Sequence, residues 1–378
     1  MTKSEQRRQS GFTLAELMVG MTIGLIVLSG VSSAYLASSR SGREAQASSE
    51  QVENGRAAIE YIMYDLRHAG YFGELGTLPA PGAALPDPCE TSDLVAMTDA
   101  MGLPVQGYDA PMSSPLSCLG NSDFVPGTDI IVVRRVDSQV LAPADVPIQG
   151  AIYLQANPIE SQLQIGSNSV PIGTTNAADG SGATIMNRDG TTAAPIHRYL
   201  VHIYFIAPCA MPAGGGANCT GAADDDGNPI PTLKRLELSV AGGVAQMQIV
   251  PLVAGVENLQ IDYGVDDLPT AVDPVTGLIG NGAPDCEDTD PGSAANAGVT
   301  PGCGSANPGA VAEWGNVVSA QVHVLARSYR AYNDYTDTKT YDLGEGLNAL
   351  TPGGNYKRHA YSTAVRLTNV SGRRELPI

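Results

Sequence analysis

The chain has 378 residues, enough for one large domain or two ordinary ones, and its 39 acidic side chains against 21 Lys and Arg give a formal charge of -18. That balance argues against nucleic-acid binding through a basic surface. Its 43 glycines and 26 prolines, beside four phenylalanines and one tryptophan, predict a loop-rich body with a modest aromatic core. The first element is a polar leader, MTKSEQRRQSG, whose Lys3, Arg7 and Arg8 hold the N-terminus on the cytoplasmic side. It runs into GFTLAELMVGMTIGLIVLSGVSSAYL, residues 11–36, an apolar helix of membrane length with a single carboxylate, Glu16, near its start. An ionisable group within such a run costs about 2.5–3.5 kcal/mol, so Glu16 needs a partner. The break from polar to apolar falls at Gly11/Phe12, ahead of the apolar run, whereas a secretory signal is cut after it. A simple signal anchor that tolerates a Glu near the interface is the competing reading.

Gly11, Phe12, Thr13, Leu14 and Glu16 resemble the class III leader of type IV prepilins and pseudopilins. The resemblance implies cleavage between Gly11 and Phe12 by the prepilin peptidase and N-methylation of Phe12. It also implies that Glu16 meets the terminal amine of a neighbouring subunit. Such a pairing replaces two costly isolated charges with one satisfied pair and sets the axial register between helices. Unlike the usual major pilin, the chain has no proline between Phe12 and Leu36.

No proline interrupts residues 40–68 either, and Val52, Ile59, Ile62 or Met63, and Leu66 recur at helical spacing. This pattern predicts one helix from Phe12 to about His68, on the order of 85 Å long, whose later apolar stripe docks on the head. Asp65-Leu66-Arg67-His68-Ala69-Gly70-Tyr71-Phe72-Gly73 closes it with glycines and resembles the matching place in the PilW family of minor pilins.

Beyond it the sequence reads as strands at residues 128–136, 151–154, 199–206, 233–240, 244–251, 256–263, 317–327 and 361–368. Leu236-Glu237-Leu238-Ser239-Val240 alternates as a half-buried antiparallel strand does, and residues 233–251 turn through Ala241-Gly242-Gly243 as a hairpin. The predicted class is α+β and pilin-like: a long N-terminal helix packed on an antiparallel β-sheet head with disulfide-stapled loops. The expected segments are the leader 1–11, the transmembrane and assembly helix 12–36, its periplasmic continuation 37–68 and the head 69–378. Residues 256–266, Trp314, the strand ending at Arg327 and Arg366-Leu367-Thr368-Asn369 also resemble PilW proteins, whereas 74–125 and 156–198 carry no recognised motif.

All six cysteines follow the apolar segment, and an even count in an exported region implies disulfides. Each successive pair brackets a loop rich in Gly, Pro or Asp, so the expected bridges are Cys89 with Cys118, Cys209 with Cys219, and Cys286 with Cys303. Two acidic stretches offer oxygen ligands for calcium: residues 224–228, and the loop holding Asp266, Asp267 and Asp273; neither has the EF-hand spacing. No other cofactor is expected. Catalytic motifs of hydrolases, metalloproteases and nucleotide-binding loops are missing, and His202 and His323 sit in predicted strands, so a non-enzymatic protein is expected.

The PilW resemblance implies a minor pilin that helps initiate pilus assembly and sits at or near the fibre tip. Its partners would be other minor pilins, the major pilin, the prepilin peptidase, the inner-membrane assembly platform and a large tip adhesin. It would be a single-pass inner-membrane protein with a periplasmic head before assembly, and would serve twitching and adhesion at the cell surface afterwards. A minor pseudopilin of a type II secretion system and a tip adhesion module are the alternatives.

Overall fold

The computed structural model describes Gly11, residues 13–141, Asp145, and residues 147–167, 185–216, 218–266, 280–291, 310–344 and 349–375. It divides into two compact units, residues 1–50 and 51–378, with one helix, α1 (Leu14–His68), contributing to both. In the first unit the helix is exposed on every side, and its apolar stretch is long enough to cross a membrane. A helix that is apolar all round belongs in lipid or in a bundle of its own kind.

The second unit holds a β-rich body. Among the described residues, eleven strands form two antiparallel sheets rather than the single sheet expected. The first contains β1 (Val105–Tyr108), β2 (Ile130–Val140), β3 (Ile152–Ala156), β4 (Ser161–Ile165), β5 (Ile196–Ala207), β6 (Thr232–Ala241) and β7 (Val244–Ala254). β5 carries β2 along one edge; along the other it pairs with β3 at residues 196–198 and with β6 at residues 202–207, so the sheet forks. The second sheet runs in the order β11 (Arg358–Arg366), β10 (Val317–Arg327), β8 (Val256–Val265), β9 (Cys286–Asp288). Three short helices, α2 (Leu94–Ala100), α3 (Ala310–Gly315) and α4 (Thr368–Ser371), complete the body.

The continuous apolar runs of β2 and β5 explain the second layer. Because successive strand side chains point to opposite faces, Ile131, Val133, Tyr204 and Ile206 enter one core with Ile62 and Leu66 of α1 and with Ile261, Val322 and Val324 of the second sheet. Ile130, Val132, Ile203 and Phe205 enter another, roofed by Phe72, Met101, Leu116 and Phe124. A strand buried on both faces needs cover on both, and one sheet with one helix supplies only one. Asp129 ties the sheets together: its N–H donates to Leu259 O at 2.9 Å, and its carboxylate accepts from Ala110 N at 2.8 Å and Ile261 N at 2.7 Å.

The docking stripe on α1 differs from the expected one at Val52, which is 47% exposed. Gln51 is buried instead, its Nε2 donating to Ala326 O and Lys357 O at 2.9 Å each, so hydrogen bonding to strand-end carbonyls overrides apolar periodicity there. Gly55 follows one turn later because the Tyr361 ring lies against it, and a Cβ at that position would sit 2.1 Å from the ring. Gly55→Ala should therefore lower stability by about 1–3 kcal/mol, overpacking outweighing the ~1 kcal/mol gain in helix propensity. Chemical denaturation of Gly55→Ala and of Gly55→Ala/Tyr361→Ala tests it: the double variant should recover the propensity gain, and an undisturbed single variant would refute the contact.

Disulfides join Cys89 to Cys118 and Cys209 to Cys219, with Cα separations of 5.6 and 5.9 Å. Cys286 is also disulfide-bonded, and its expected partner Cys303 lies outside the described residues. The first bridge closes a 29-residue separation that includes α2 and β1. Replacing both of its cysteines by serine should cost about 3 kcal/mol, read as a lower unfolding midpoint in non-reducing buffer; an unchanged midpoint would contradict this.

Candidate assembly site

The N-terminal segment presents Gly11 exposed, while Phe12 lies outside the described residues. Thr13 and Glu16 form a reciprocal cap at the start of α1. Glu16 Oε2 accepts from Thr13 N at 3.0 Å and Thr13 Oγ1 at 2.9 Å, and Glu16 N donates to Thr13 Oγ1 at 3.3 Å. This capping box follows from the Thr-x-x-Glu spacing and was not foreseen in the sequence reading. Among the described residues nothing binds Oε1, so one carboxylate oxygen caps the helix and the other remains open. Behind it Leu17, Val19, Ile23 and Ile26 are exposed, giving an apolar helix headed by one carboxylate.

The other expected ligand residues are engaged internally. Asp266 is buried, accepts from Asn281 N at 3.2 Å and Gly282 N at 2.7 Å, and lies 3.5 Å from Arg374 Nη1. Backbone donors and a guanidinium thus meet this carboxylate, while the other two expected calcium ligands, Asp267 and Asp273, lie outside the described residues. In the earlier acidic loop, Asp224 accepts from Ala213, Thr220 and Gly221 backbone N–H groups, and Asp225 accepts from those of Ala210, Met211 and Ile230. Cys209, Cys219 and Asp224 converge closely enough to suggest a metal, but the two sulfurs are bonded to each other. These acids organise loops.

The residues resembling PilW also interlock the fold. Glu257 pairs with Arg358, whose Nη1 reaches Asp337 at 3.0 Å, and Asp262 lies 3.2 Å from His323. Trp314 packs edge-on to Tyr263 with ring centroids 4.7 Å apart. Asn369 Nδ2 donates to Ala69 O at 3.2 Å and so holds the end of α1.

Sequence reasoning missed the role of a buried acid on α1, Asp65. Buried on α1, it meets Arg135 of β2 at 2.9 Å, the ring Nδ1 of His202 on β5, and the Tyr204 hydroxyl at 2.5 Å. Burial pushes its carboxyl up, but the His202 hydrogen bond, the His202 and Arg135 charges and the Tyr204 hydroxyl hold it at about 2. Tyr204 is raised well above its ordinary value by burial and by that carboxylate. Helical spacing from Ile62 and Leu66 places Asp65 on the buried face, which was the available signal.

Two family models match this chain. The prokaryotic N-terminal methylation motif covers residues 6–32, and type IV pilus-assembly protein W covers residues 220–369. The C-terminal part of the chain is thus similar to PilW, and its start to the methylation motif. No curated protein and no solved structure matches it. The PilW match begins before β6 and ends on Asn369, so it takes in the whole second sheet and the residue that holds the end of α1. The methylation motif takes in the capping box and the start of the apolar helix. The two matches together mark the chain as a type IV pilus minor pilin, with an apolar N-terminal helix long enough to cross a membrane and the motif that the prepilin peptidase reads.

Proposed function

We propose that this minor pilin primes pilus assembly at the inner membrane and ends at or near the fibre tip beside other minor pilins. The observation that carries the proposal is an exposed apolar helix headed by Glu16 in the same chain as a PilW-type head. The peptidase cuts between Gly11 and Phe12, Phe12 becomes the methylated terminus, and Glu16 Oε1 receives the terminal amine of a neighbour in the apolar bundle. Pairing in lipid relieves two charges that are costly when isolated, so the carboxylate selects one axial register. The role is structural and requires no catalytic group. The head lies on the periplasmic side before assembly, and the assembly platform, the major pilin and a tip adhesin are its further partners.

The test is the amount of major pilin sheared from the surface of a deletion strain. Loss restored by the wild-type gene supports priming. Unchanged piliation with retained secreted enzymes would transfer the role to a secretion pseudopilin, and unchanged piliation with weaker attachment would transfer it to an adhesin.

A further inference from the structure

The edge strands of the two sheets are unequal. β1, β4 and β9 have four, five and three residues, and β11 carries Arg358, His359 and Arg366. β7 is different: eleven residues, VAQMQIVPLVA, with no charge. Among the described residues it pairs with β6 alone. Edge strands are ordinarily kept from joining other chains by shortness, charge or bulges. Between Val244 and Val250, β7 has none of these; its register shift lies further on, opposite Leu233/Lys234.

The turn fixes which backbone groups are open. Gly242 and Gly243 have φ of 60° and 79°, and Ala241 pairs with Val244, so the hairpin closes through a two-residue type I′ turn. In such a hairpin the closing pair exchanges hydrogen bonds, and bonded pairs then recur at every second residue. Val244, Gln246, Gln248 and Val250 therefore turn their N–H and C=O groups toward β6. Ala245, Met247 and Ile249 turn theirs outward. Pro251 falls in the outward phase, where its missing N–H costs the β6 ladder nothing, and it ends the open frame. The side chains of Ala245, Met247 and Ile249 are half-buried against the second core, so an added strand with apolar residues on that face would extend the core.

We propose that β7 receives an extended segment of a different pilus subunit by strand addition, antiparallel or parallel, over residues 245–249. Its recognition chemistry is main-chain hydrogen bonding, with apolar side chains at alternate positions. A second copy of this chain is the poorer occupant, because pairing two chains of charge -18 brings like charges together. The partner's identity as a pilus subunit rests on the proposed function; the open edge does not.

Amide exchange of the full chain in detergent, alone and in complex with the minor pilins of the same pilus, tests the proposal. Exchange at Ala245, Met247 and Ile249 should slow on the order of 100-fold in the complex, while Gln246 and Gln248 are slow in both states. Met247→Pro removes an outward N–H and spares the β6 ladder, so co-purification should be lost, whereas Met247→Ala, which loses the same core packing but keeps the N–H, should retain it at a similarly lowered unfolding midpoint. Gln246→Lys/Gln248→Lys places charge on the solvent face without altering the backbone and should also abolish co-purification. Unchanged exchange in the complex would overturn the proposal. So would protection in the isolated chain, which if independent of concentration means the edge is covered internally, and if rising with concentration means that copies pair. A deletion strain with normal pili removes the priming reading, whereas normal co-purification of Met247→Pro and of Gln246→Lys/Gln248→Lys removes only the edge.

Discussion

Asp65→Asn should destabilise the head by about 3–5 kcal/mol, because it leaves the Arg135 guanidinium buried without its countercharge. Denaturant titration of the full chain in detergent reads the loss. The variant also predicts a pH signature. Asp65 is held at about 2 against an ordinary 3.8, so its folded form favours ionisation and contributes about 2 kcal/mol of stability. That contribution is fully present above about pH 5 and disappears as pH falls through 3.8 toward 2. The wild type should therefore lose stability across this window more steeply than Asp65→Asn. Parallel acid limbs, or a variant within about 1 kcal/mol of wild type, would show that the cluster does not hold α1 to the sheet.

Glu16→Val should leave processing and membrane insertion intact yet reduce sheared surface pilin to the level of the deletion strain. The capping box means that this variant also loses a helix cap worth about 1 kcal/mol, so it cannot by itself separate cap from charge. Glu16→Gln separates them, since glutamine completes the same box without a negative charge. Both variants should fail equally in assembly and in co-purification with the other minor subunits. Normal assembly of Glu16→Gln would assign the residue to capping, and normal assembly of Glu16→Val would remove it from the interface.

Local pattern carried much of this protein. The break at Gly11/Phe12, the unbroken apolar run after it and the proline-free stretch to His68 specify the methylation motif and the long helix, because membrane length and helical continuity are properties of neighbouring residues. The strands of β2, β3, β5, β6, β7, β8, β10 and β11 were legible from β-branched and aromatic runs, although the bounds shifted by a few residues. Short β1, β4 and β9 were not, since VQGY, SQLQI and CED are polar runs with few β-branched residues, unlike the equally short β3, IYLQA. Long-range choices belonged to the tertiary structure. Val52 and Gln51 exchange places because Ala326 and Lys357 carbonyls, some 300 residues away in sequence, need donors. Asp65 reads as a polar helix residue until Arg135, His202 and Tyr204 surround it. The contacts of Asp266 with Arg374 and two backbone N–H groups are likewise set by the fold. A helix or a turn is set by residues within a few positions of one another, whereas a buried carboxylate takes its role from whichever charges the fold brings within hydrogen-bonding distance.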